Sequence, residues 1–291
     1  MNGTRHMRRW GRAAGVIWTA LDEKNLFLVA AGCAFYGILS VFPALSAIIA
    51  LWGLVSDPAF VAQEMERFRA LVPDEVYSLI QSRVLALTQA DGQTLGWASA
   101  FSLAVAIWTA RASVAALMRG LNAIYGVPNR RGIGHTVRAL ALTMALIGVA
   151  LVALAGIVVA PLVIAFVPET ILGGPATVAM LNLLRWALVI GVLLAGFCLI
   201  LRIGPNVTGR DRPLLSAGAV AATVGWTAAS AGFSIYLAQF AQYNEVYGSI
   251  GAVIALLMWL FLSALLVLLG GALNAALRGP VAGDDAFSPQ T

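Results

Sequence analysis

The chain alternates long apolar runs with polar segments, and the last apolar run carries no charge. Residues 246–277 form an uncharged stretch of 32 residues, whereas about 20 apolar residues suffice for a helix to cross a bilayer. The polar residues 242–245 separate this stretch from the apolar run before it. The same pattern recurs along the chain and predicts six transmembrane helices. Their expected bounds are about 26–55, 95–118, 139–167, 181–201, 214–240 and 249–277.

The segments outside the spans complete the predicted organisation. Residues 1–25 carry basic residues beside apolar ones at helical spacing, which predicts an amphipathic helix on the cytoplasmic membrane surface; the alternative is the cytosolic start of the first span. Residues 57–94 hold two apolar stripes and predict amphipathic helices on the outer face. These helices are either a structural cover or a cap that captures a ligand. Residues 279–291 are polar and are expected to be disordered.

Composition agrees with this pattern. The chain has 291 residues, of which 60% are hydrophobic and 11% charged, and its mean hydropathy is +0.89. Soluble domains carry about 25% charged residues. Transmembrane barrels are built from alternating segments of about 10 residues, which the unbroken apolar runs do not resemble. The sequence therefore predicts an all-α polytopic membrane protein whose core is residues 26–278.

Basic residues concentrate in alternate connections between the spans. The N-terminal segment holds five, the second-to-third connection four, the fourth-to-fifth three and the C-terminal tail one. The other connections hold three arginines in the long segment 57–94 and none elsewhere. Because cytoplasmic loops are enriched in Lys and Arg, both termini are predicted to be cytoplasmic. The net charge of +5 then marks membrane topology, and nucleic acid is not an expected partner.

Several motifs resemble the YihY/virulence factor BrkB family. They are AFYGILSVFPAL at 34–45, WTARASVAALMRGLNAIYGVPNRRG at 108–132, RW at 185–186, RIGPN at 202–206 and QYNEVYGSIGAVIALLMWLFLSALLVLLGGALNAAL at 242–277. The resemblance implies a six-helix protein of the bacterial inner membrane. Some members were once labelled ribonuclease BN, and some have been linked to serum resistance or to export of envelope lipids. Many relatives carry an acid in a G-A-E-L-N motif where this chain has Ala272.

The residues needed for several kinds of chemistry are missing. No Gly-rich loop followed by Lys and Ser or Thr is present for ATP, and His6 and His135 lie outside the predicted spans. No cluster of His, Asp and Glu suits the catalytic metals of a hydrolytic nuclease. The protein is therefore expected not to be an enzyme and to need no metal or cofactor. Cys33 and Cys198 are interpreted as small core residues.

Two arginines lie within predicted spans, Arg111 in the second and Arg185 in the fourth. Burying an unpaired arginine costs at least ~2.5 kcal/mol on insertion scales. In one interpretation both side chains snorkel to the interfaces or bind backbone carbonyls. In the other, one or both face a cavity and bind an anionic head group, which the planar guanidinium suits. Pro43 is expected to kink the first helix and to shape such a cavity.

One pentapeptide pattern, Asn-x-x-Tyr-Gly, occurs at residues 122–126 and again at 244–248. If spans one to three and four to six were inverted repeats, the two would be symmetry mates on opposite faces; a chance match is the alternative. Tyrosines at interfaces also anchor membrane proteins, and asparagines near span ends also cap or bridge helices. The further candidate substrate-binding residues are Tyr36, Asn122, Tyr125, Asn244, Tyr247 and Asn274.

The leading hypothesis is a bacterial inner-membrane protein that transports or exports an amphipathic anionic substrate, an envelope lipid according to the family resemblance. Membrane lipids are the expected partners. The alternative is a non-transporting scaffold that recruits an envelope partner through residues 57–94. A membrane-bound nuclease is the third hypothesis and the weakest, because its metal ligands are missing. A homodimer is compatible with the Gly- and Ala-rich helices, although no sequence feature selects its surface.

Overall fold

A computed structural model describes residues 15, 19, 21–55, 92–130, 132–166, 175–207, 213, 215–240 and 244–278, and within them all regular secondary structure is helical. Each long helix contains an apolar stretch of at least 21 residues, enough to cross a bilayer. The predicted all-α fold with six membrane-spanning helices is confirmed. The helices are α1 (Leu26–Val55), α2 (Gly92–Ile124), α3 (Ile133–Phe166), α4 (Pro175–Ile203), α5 (Ala217–Phe240) and α6 (Asn244–Arg278).

Three of the predicted segments fall largely outside the described residues. They are the N-terminal amphipathic helix, the outer-face helices of residues 57–94 and the polar tail. The cytoplasmic location of both termini stays a prediction. Pro43 lies inside α1 as expected, and the kink assigned to it likewise stays a prediction.

Several helices extend beyond the apolar runs that predicted them. α2 ends at Ile124 instead of residue 118, and α3 begins at Ile133 instead of residue 139. Arg119 and Arg138, which the charge pattern placed in the connection, are therefore helical. α6 begins at Asn244, so the predicted polar turn at Glu245 is the first turn of a helix. The apolar pattern reports which residues suit hydrocarbon, whereas backbone hydrogen bonding continues the helix into its polar ends.

The C-terminus of α2 is closed by a Schellman motif. The amide of Val127 donates to the carbonyl of Asn122 at 3.0 Å, and the amide of Gly126 donates to that of Ala123 at 3.3 Å. Gly126 has φ +64°, a left-handed conformation that glycine adopts without a Cβ penalty. The chain therefore leaves α2 in a sharp turn, which Pro128 continues without re-forming helix.

The helices contribute to two compact units. The first unit comprises Met1–Ala30, Val114–Ala229 and Ser263–Thr291, and the second comprises Ala31–Ser113 and Ser230–Leu262. In the first unit, Ala115, Met118, Ala139 and Leu142 form a buried cluster between α2 and α3, against which Leu199 and Ile203 of α4 pack. This cluster holds the end of α2 in register with α3 and α4.

Close helix contacts in the first unit depend on glycines. Leu121 is fully buried, and a Cβ on Gly204 or Gly271 would lie 2.9 or 2.5 Å from its methyl carbons. A Cβ on Gly218 of α5 would lie 1.9 Å from the carbonyl oxygen of Gly270 of α6. Such separations are shorter than van der Waals contact, so these helices approach one another only because the side chains are absent.

The second unit joins α1 to α2 through a pair of hydrogen bonds. Ser113 Oγ donates to the carbonyl of Cys33 at 2.8 Å, and Cys33 Sγ donates to the carbonyl of Ser113 at 3.5 Å. Cys33 is buried, and both Cys33 and Cys198 are free thiols. These contacts agree with the interpretation of Cys33 as a small core residue. Gly37, one turn further along α1, faces Leu260 of α6.

Candidate functional site

Arg111 lies near the middle of a membrane-spanning stretch. That stretch of α2 runs from Ser99 to Ile124, so Arg111 is 12 residues from one end (111 − 99) and 13 from the other (124 − 111). At 1.5 Å per residue these distances are about 18 and 20 Å along the helix axis. The backbone of Arg111 therefore lies in the deepest part of the span, where the free-energy cost of an ionised side chain is highest.

The guanidinium of Arg111 stacks on an aromatic ring one turn before it. Its Cζ lies 4.2 Å from the centroid of the Trp108 ring, within the range of a cation–π contact. Trp108 is 61% exposed, so the pair sits at the surface of the second unit. The Nε atom of Arg111 is buried and has no hydrogen-bond partner among the described residues. The Trp108 ring thus offsets part of the cost of placing the Arg111 charge in the span. The Nε–H donor of Arg111 remains without an acceptor among the described residues.

Arg185 has a different environment. It lies six residues inside the stretch Ala179–Ile203 of α4 (185 − 179), close to one end of that span. Its side chain is exposed, as are those of Leu183, Leu184 and Trp186. The arrangement agrees with a side chain that snorkels along a lipid-facing surface. Binding of an anion at Arg185 stays a prediction.

The aromatic candidates are placed at separate points. Tyr36 on α1 is partly exposed and meets the neighbouring Phe35 edge-on, with ring centroids 5.6 Å apart. Tyr125 directly follows α2 and is half-buried. Asn244 and Tyr247 belong to the first turn of α6, where only the backbone is described. Substrate binding by these residues stays a prediction.

Asn122 is the centre of a hydrogen-bonded network at one end of the first unit. Its side chain is 1% exposed; Nδ2 donates to Asn129 Oδ1 at 2.8 Å, and Oδ1 accepts from the backbone amide of Asn206 at 2.6 Å. Asn206 Nδ2 donates to the carbonyl of Pro128 at 3.2 Å, and Arg130 Nε donates to Asn206 Oδ1 at 2.5 Å. The network fastens the connection after α2 to the connection after α4.

Asn274 makes the corresponding contact between α6 and α5. Its side chain is 8% exposed; Oδ1 accepts from the amide of Gly218 at 2.7 Å, and Nδ2 donates to Ser216 Oγ at 2.9 Å. Ser216 itself accepts from the amide of Ala219 through Oγ at 3.2 Å, which makes it the N-cap of α5. Asn274 therefore satisfies a first-turn amide of a neighbouring helix, as the capping alternative predicts.

The two pentapeptides do not share a local structure. In the first, Asn122 lies in the last turn of α2 and Gly126 ends that helix with φ +64°. In the second, Asn244 begins α6 and Gly248 lies within that helix. The two pentapeptides therefore differ in backbone conformation, and an inverted-repeat relation between the two halves stays a prediction.

Three members of these networks were not candidates from the sequence: Asn129, Asn206 and Ser216. Asn129 and Asn206 each follow a proline directly after a span, in the dipeptides Pro128-Asn129 and Pro205-Asn206. Both connections were predicted on the same membrane face. Two Pro-Asn pairs on one predicted face are the sequence signal that would have indicated a shared network.

Comparison with known proteins identifies the family. The family model described as Virulence factor BrkB matches residues 17–289. The chain belongs to the virulence factor BrkB family. It is 31% identical over 247 residues to the ribonuclease-like protein YfkH of Bacillus subtilis (strain 168), covering 84% of this chain and 87% of that protein. It is 29% identical over 261 residues to a UPF0761 membrane protein of Methylibium petroleiphilum, covering 87% of this chain and 59% of the relative. No solved structure gives a significant match.

The residue at position 272 is buried, which limits the side chains that this position can hold. Ala272, where the resemblance implies an acid in many relatives, is 0% exposed. It lies two residues before Asn274, which caps α5. A carboxylate at this position would need a buried partner, and an alanine needs none.

Proposed function

We propose that this protein transports or exports an amphipathic anionic molecule, with an envelope lipid as the substrate class, in the bacterial inner membrane. Arg111 binds the anionic head group. The observation that carries the proposal is the unused, buried Nε–H donor of Arg111 near the middle of a membrane span. Membership of the BrkB family supplies the membrane context.

The energetics of Arg111 favour an anionic ligand. An arginine at the centre of a bilayer costs about 2.5–3.5 kcal/mol on insertion scales. A cation–π contact returns about 0.5–2 kcal/mol, depending on its exposure to water. Helices α1–α5 contain no Asp or Glu, so these helices offer no carboxylate to supply the remainder. A phosphate or carboxylate head group would accept a hydrogen bond from Nε–H and would offset the rest of the cost of inserting Arg111.

The position of Trp108 fits an amphipathic substrate. Its ring fixes the guanidinium plane on one side and exposes apolar surface beside it. A head group on the guanidinium would place the acyl part of the same molecule against this aromatic surface. The preformed stacking lowers the entropy lost when an anion binds, since one side-chain conformation is already favoured.

The proposal includes no chemical step and no cofactor. The name of the Bacillus relative refers to a ribonuclease. Hydrolytic nucleases use carboxylates or histidines to hold catalytic metals, and the described residues contain no group of three His, Cys, Asp or Glu side chains that could hold a metal ion. We therefore do not extend that name to this chain.

Lipid translocation in proteoliposomes tests the proposal. Purified protein is reconstituted with fluorescent anionic or zwitterionic phospholipids, and wild type is compared with Arg111→Ala and Arg111→Lys. We expect Arg111→Ala to lower anionic-lipid translocation at least about 10-fold, the equivalent of one lost charge-assisted hydrogen bond. Arg111→Lys keeps the charge without the planar fork and should fall between the two.

Arg119→Ala is the matched control. Arg119 is an exposed arginine on the same helix, and its removal changes the net charge by the same amount. A loss in Arg119→Ala equal to that in Arg111→Ala would show a general charge effect and contradict the proposed site. Wild type that is stable yet moves no tested lipid would favour the scaffold hypothesis.

A further inference from the structure

We propose that the lipid whose head group binds Arg111 places its acyl chain against one exposed face of α2 and points that chain towards the N-terminal end of the helix. Trp97, Phe101, Ala104 and Trp108 form this face, the aromatic stripe. This inference rests on the proposed function. It adds the part of the site that binds the apolar chain, and it fixes the orientation of the bound lipid.

The aromatic stripe follows the pitch of α2 and ends at Arg111. Its residues are separated by four, three and four positions, and Arg111 follows Trp108 by three. At 3.6 residues per turn, these five positions lie within an arc of about 80° around the helix. Trp97 is 74% exposed, Phe101 72% and Trp108 61%, and Ala104 is also exposed. The charge and the apolar surface therefore occupy the same face of one helix.

The opposite face of α2 is the one that packs inside the second unit. Ser99 and Ala106 are buried, and Ser113 exchanges hydrogen bonds with Cys33 of α1. Ser99, Ala106 and Ser113 are spaced by seven positions, which places them about 180° from the centre of the aromatic stripe. Packing through this face leaves the aromatic stripe uncovered.

Trp108 lies too deep to be an anchor at the membrane interface. Interfacial tryptophans are common, and Trp97 fits that role because it lies two residues before the apolar stretch that begins at Ser99 (99 − 97). Trp108 lies nine residues inside that stretch (108 − 99), or about 14 Å at 1.5 Å per residue. Hydrocarbon offers an indole N–H no acceptor. A head group bound at Arg111 would bring one to this depth.

The direction of the chain follows from which half of this face is covered. Towards the C-terminus of α2, the face continues with Ala115 and Met118, which belong to the buried cluster shared with α3. Towards the N-terminus, the aromatic stripe stays exposed as far as Trp97. A chain that starts at Arg111 can therefore follow this face only towards the N-terminal end of α2.

The length of the aromatic stripe fits one acyl chain. Phe101 lies ten residues before Arg111 (111 − 101), or about 15 Å along the helix axis, which is half of a hydrocarbon core of about 30 Å. The bound chain would thus start in mid-span and end near the interface. A bulk lipid at the same interface has the opposite orientation, with its head group at the level of Trp97 and its chain end near the level of Arg111. This difference makes the orientation measurable.

Photocrosslinking with diazirine lipids measures the orientation. Purified protein is placed in phosphatidylcholine nanodiscs that contain a small fraction of phosphatidylglycerol, with the diazirine near the carboxyl end or near the methyl end of the chain. Mass spectrometry identifies the labelled residues. The carboxyl-end probe should label positions 104–108 and the methyl-end probe positions 97–101, so that the ratio of the two differs between probes by at least about 10-fold. Matched phosphatidylcholine probes report bulk lipid and should show the reverse order.

Paired variants test the dependence on Arg111. Arg111→Ala should lower the labelling of positions 104–108 by the carboxyl-end phosphatidylglycerol probe at least about 10-fold, the factor for one lost charge-assisted hydrogen bond. Arg119→Ala removes the same charge from an exposed position of α2 and should keep this labelling. Leu103 is an internal control in every sample. It is exposed and lies about 100° around the helix from Ala104, so it should report bulk lipid.

Four results would overturn the inference. The first is the same order of labelling with phosphatidylglycerol and phosphatidylcholine probes, and the second is unchanged labelling in Arg111→Ala. The third is an equal loss in Arg119→Ala, which would show a general charge effect. The fourth is efficient intermolecular disulfide formation through Ala104→Cys in a Cys33→Ser, Cys198→Ser background, which would assign the aromatic stripe to a second copy.

The labelling order also separates this inference from the proposed function. Translocation that depends on Arg111, together with the bulk order of labelling, would retain the proposed function and refute the bound orientation. The reversed order in protein that moves no lipid would retain the bound lipid and refute transport. The order is measured in wild type, so it decides the orientation even if Arg111→Ala fails to fold.

Discussion

Replacement of Asn122 by alanine tests whether one buried amide fastens the end of the bundle formed by α2, α3 and α4. The variant removes both hydrogen bonds of the side chain, to Asn129 Oδ1 and from the amide of Asn206. Neither partner lies in the same helix turn as Asn122, and Asn206 is 84 positions away. The change therefore acts on contacts between segments and leaves the hydrogen bonds of α2 intact.

The expected loss follows from what the two partners can do afterwards. Asn129 is exposed, so its side-chain oxygen can bind water once Asn122 is removed. The loss of the Asn122–Asn129 hydrogen bond therefore costs little. Asn206 is half-buried, and a buried donor left without an acceptor costs about 1–3 kcal/mol. With the small cavity left by the side chain, we expect Asn122→Ala to lower the free energy of unfolding by about 2 kcal/mol. That value is about 30-fold in the unfolding equilibrium.

Unfolding in mixed micelles of dodecyl maltoside and SDS, followed by tryptophan fluorescence, measures this loss. Asn129→Ala should cost less than about 0.5 kcal/mol, because its partner bond is the exposed one. Thr143→Val is the matched control: the Thr143 hydroxyl is buried but donates only to the carbonyl of Ala139 in its own helix, at 2.7 Å. Its removal should change stability by less than about 0.5 kcal/mol.

The ranking of these three variants decides the matter. If Asn122→Ala lies within error of Thr143→Val, the buried amide does not hold the two connections together. If Asn129→Ala costs as much as Asn122→Ala, the bond between the two side chains carries the stability and the amide of Asn206 does not. Either result would refute the assignment of the main contribution to the backbone donor.

Two further variants probe the junction of α5 and α6. Gly218→Ala should destabilise by about 3 kcal/mol or more, since its Cβ would overlap the backbone of Gly270; Gly232→Ala in the same helix meets nothing within 4 Å and should be stabilising by about 0.5–1 kcal/mol. Ala272→Glu places an acid at a buried position and should lower the thermal midpoint, whereas Ala123→Glu at an exposed position of α2 should not. A rise in the midpoint with Ala272→Glu would show that a partner for the acid is retained. Thermal unfolding in detergent measures all four variants.

The membrane fold could be predicted from the sequence because apolar runs and helices coincide inside hydrocarbon. The first helix begins at residue 26, as the apolar run predicted, since polar and charged residues precede that run abruptly. The ends of α2, α3 and α6 were predicted less well. Arg119, His135 and Asn244 are polar yet compatible with helix, so the apolar pattern stops before the backbone hydrogen bonding does.

The candidate site was predictable residue by residue but not as a set of contacts. Asn122 and Asn274 were candidate substrate-binding residues; both side chains are buried and hydrogen-bonded to other protein groups, and substrate binding by them stays a prediction. Asn122 bonds the backbone amide of Asn206, 84 positions away, as well as the nearby Asn129, and the two partners of Asn274 are 56 and 58 positions away. No helical periodicity relates such positions, because the packing of separate helices brings them together.

The arginines illustrate the same limit, since one residue type has three different environments in this chain. Arg130 at a helix connection binds an asparagine oxygen, Arg185 near a span end is exposed among apolar side chains, and Arg111 in mid-span meets an aromatic ring. Water is available to an arginine at the interface but not at the centre of a bilayer, so the same unused donor costs little in the first place and much in the second. Depth, more than charge, therefore makes Arg111 the position at which an Nε–H donor without an acceptor among the described residues supports the proposed ligand.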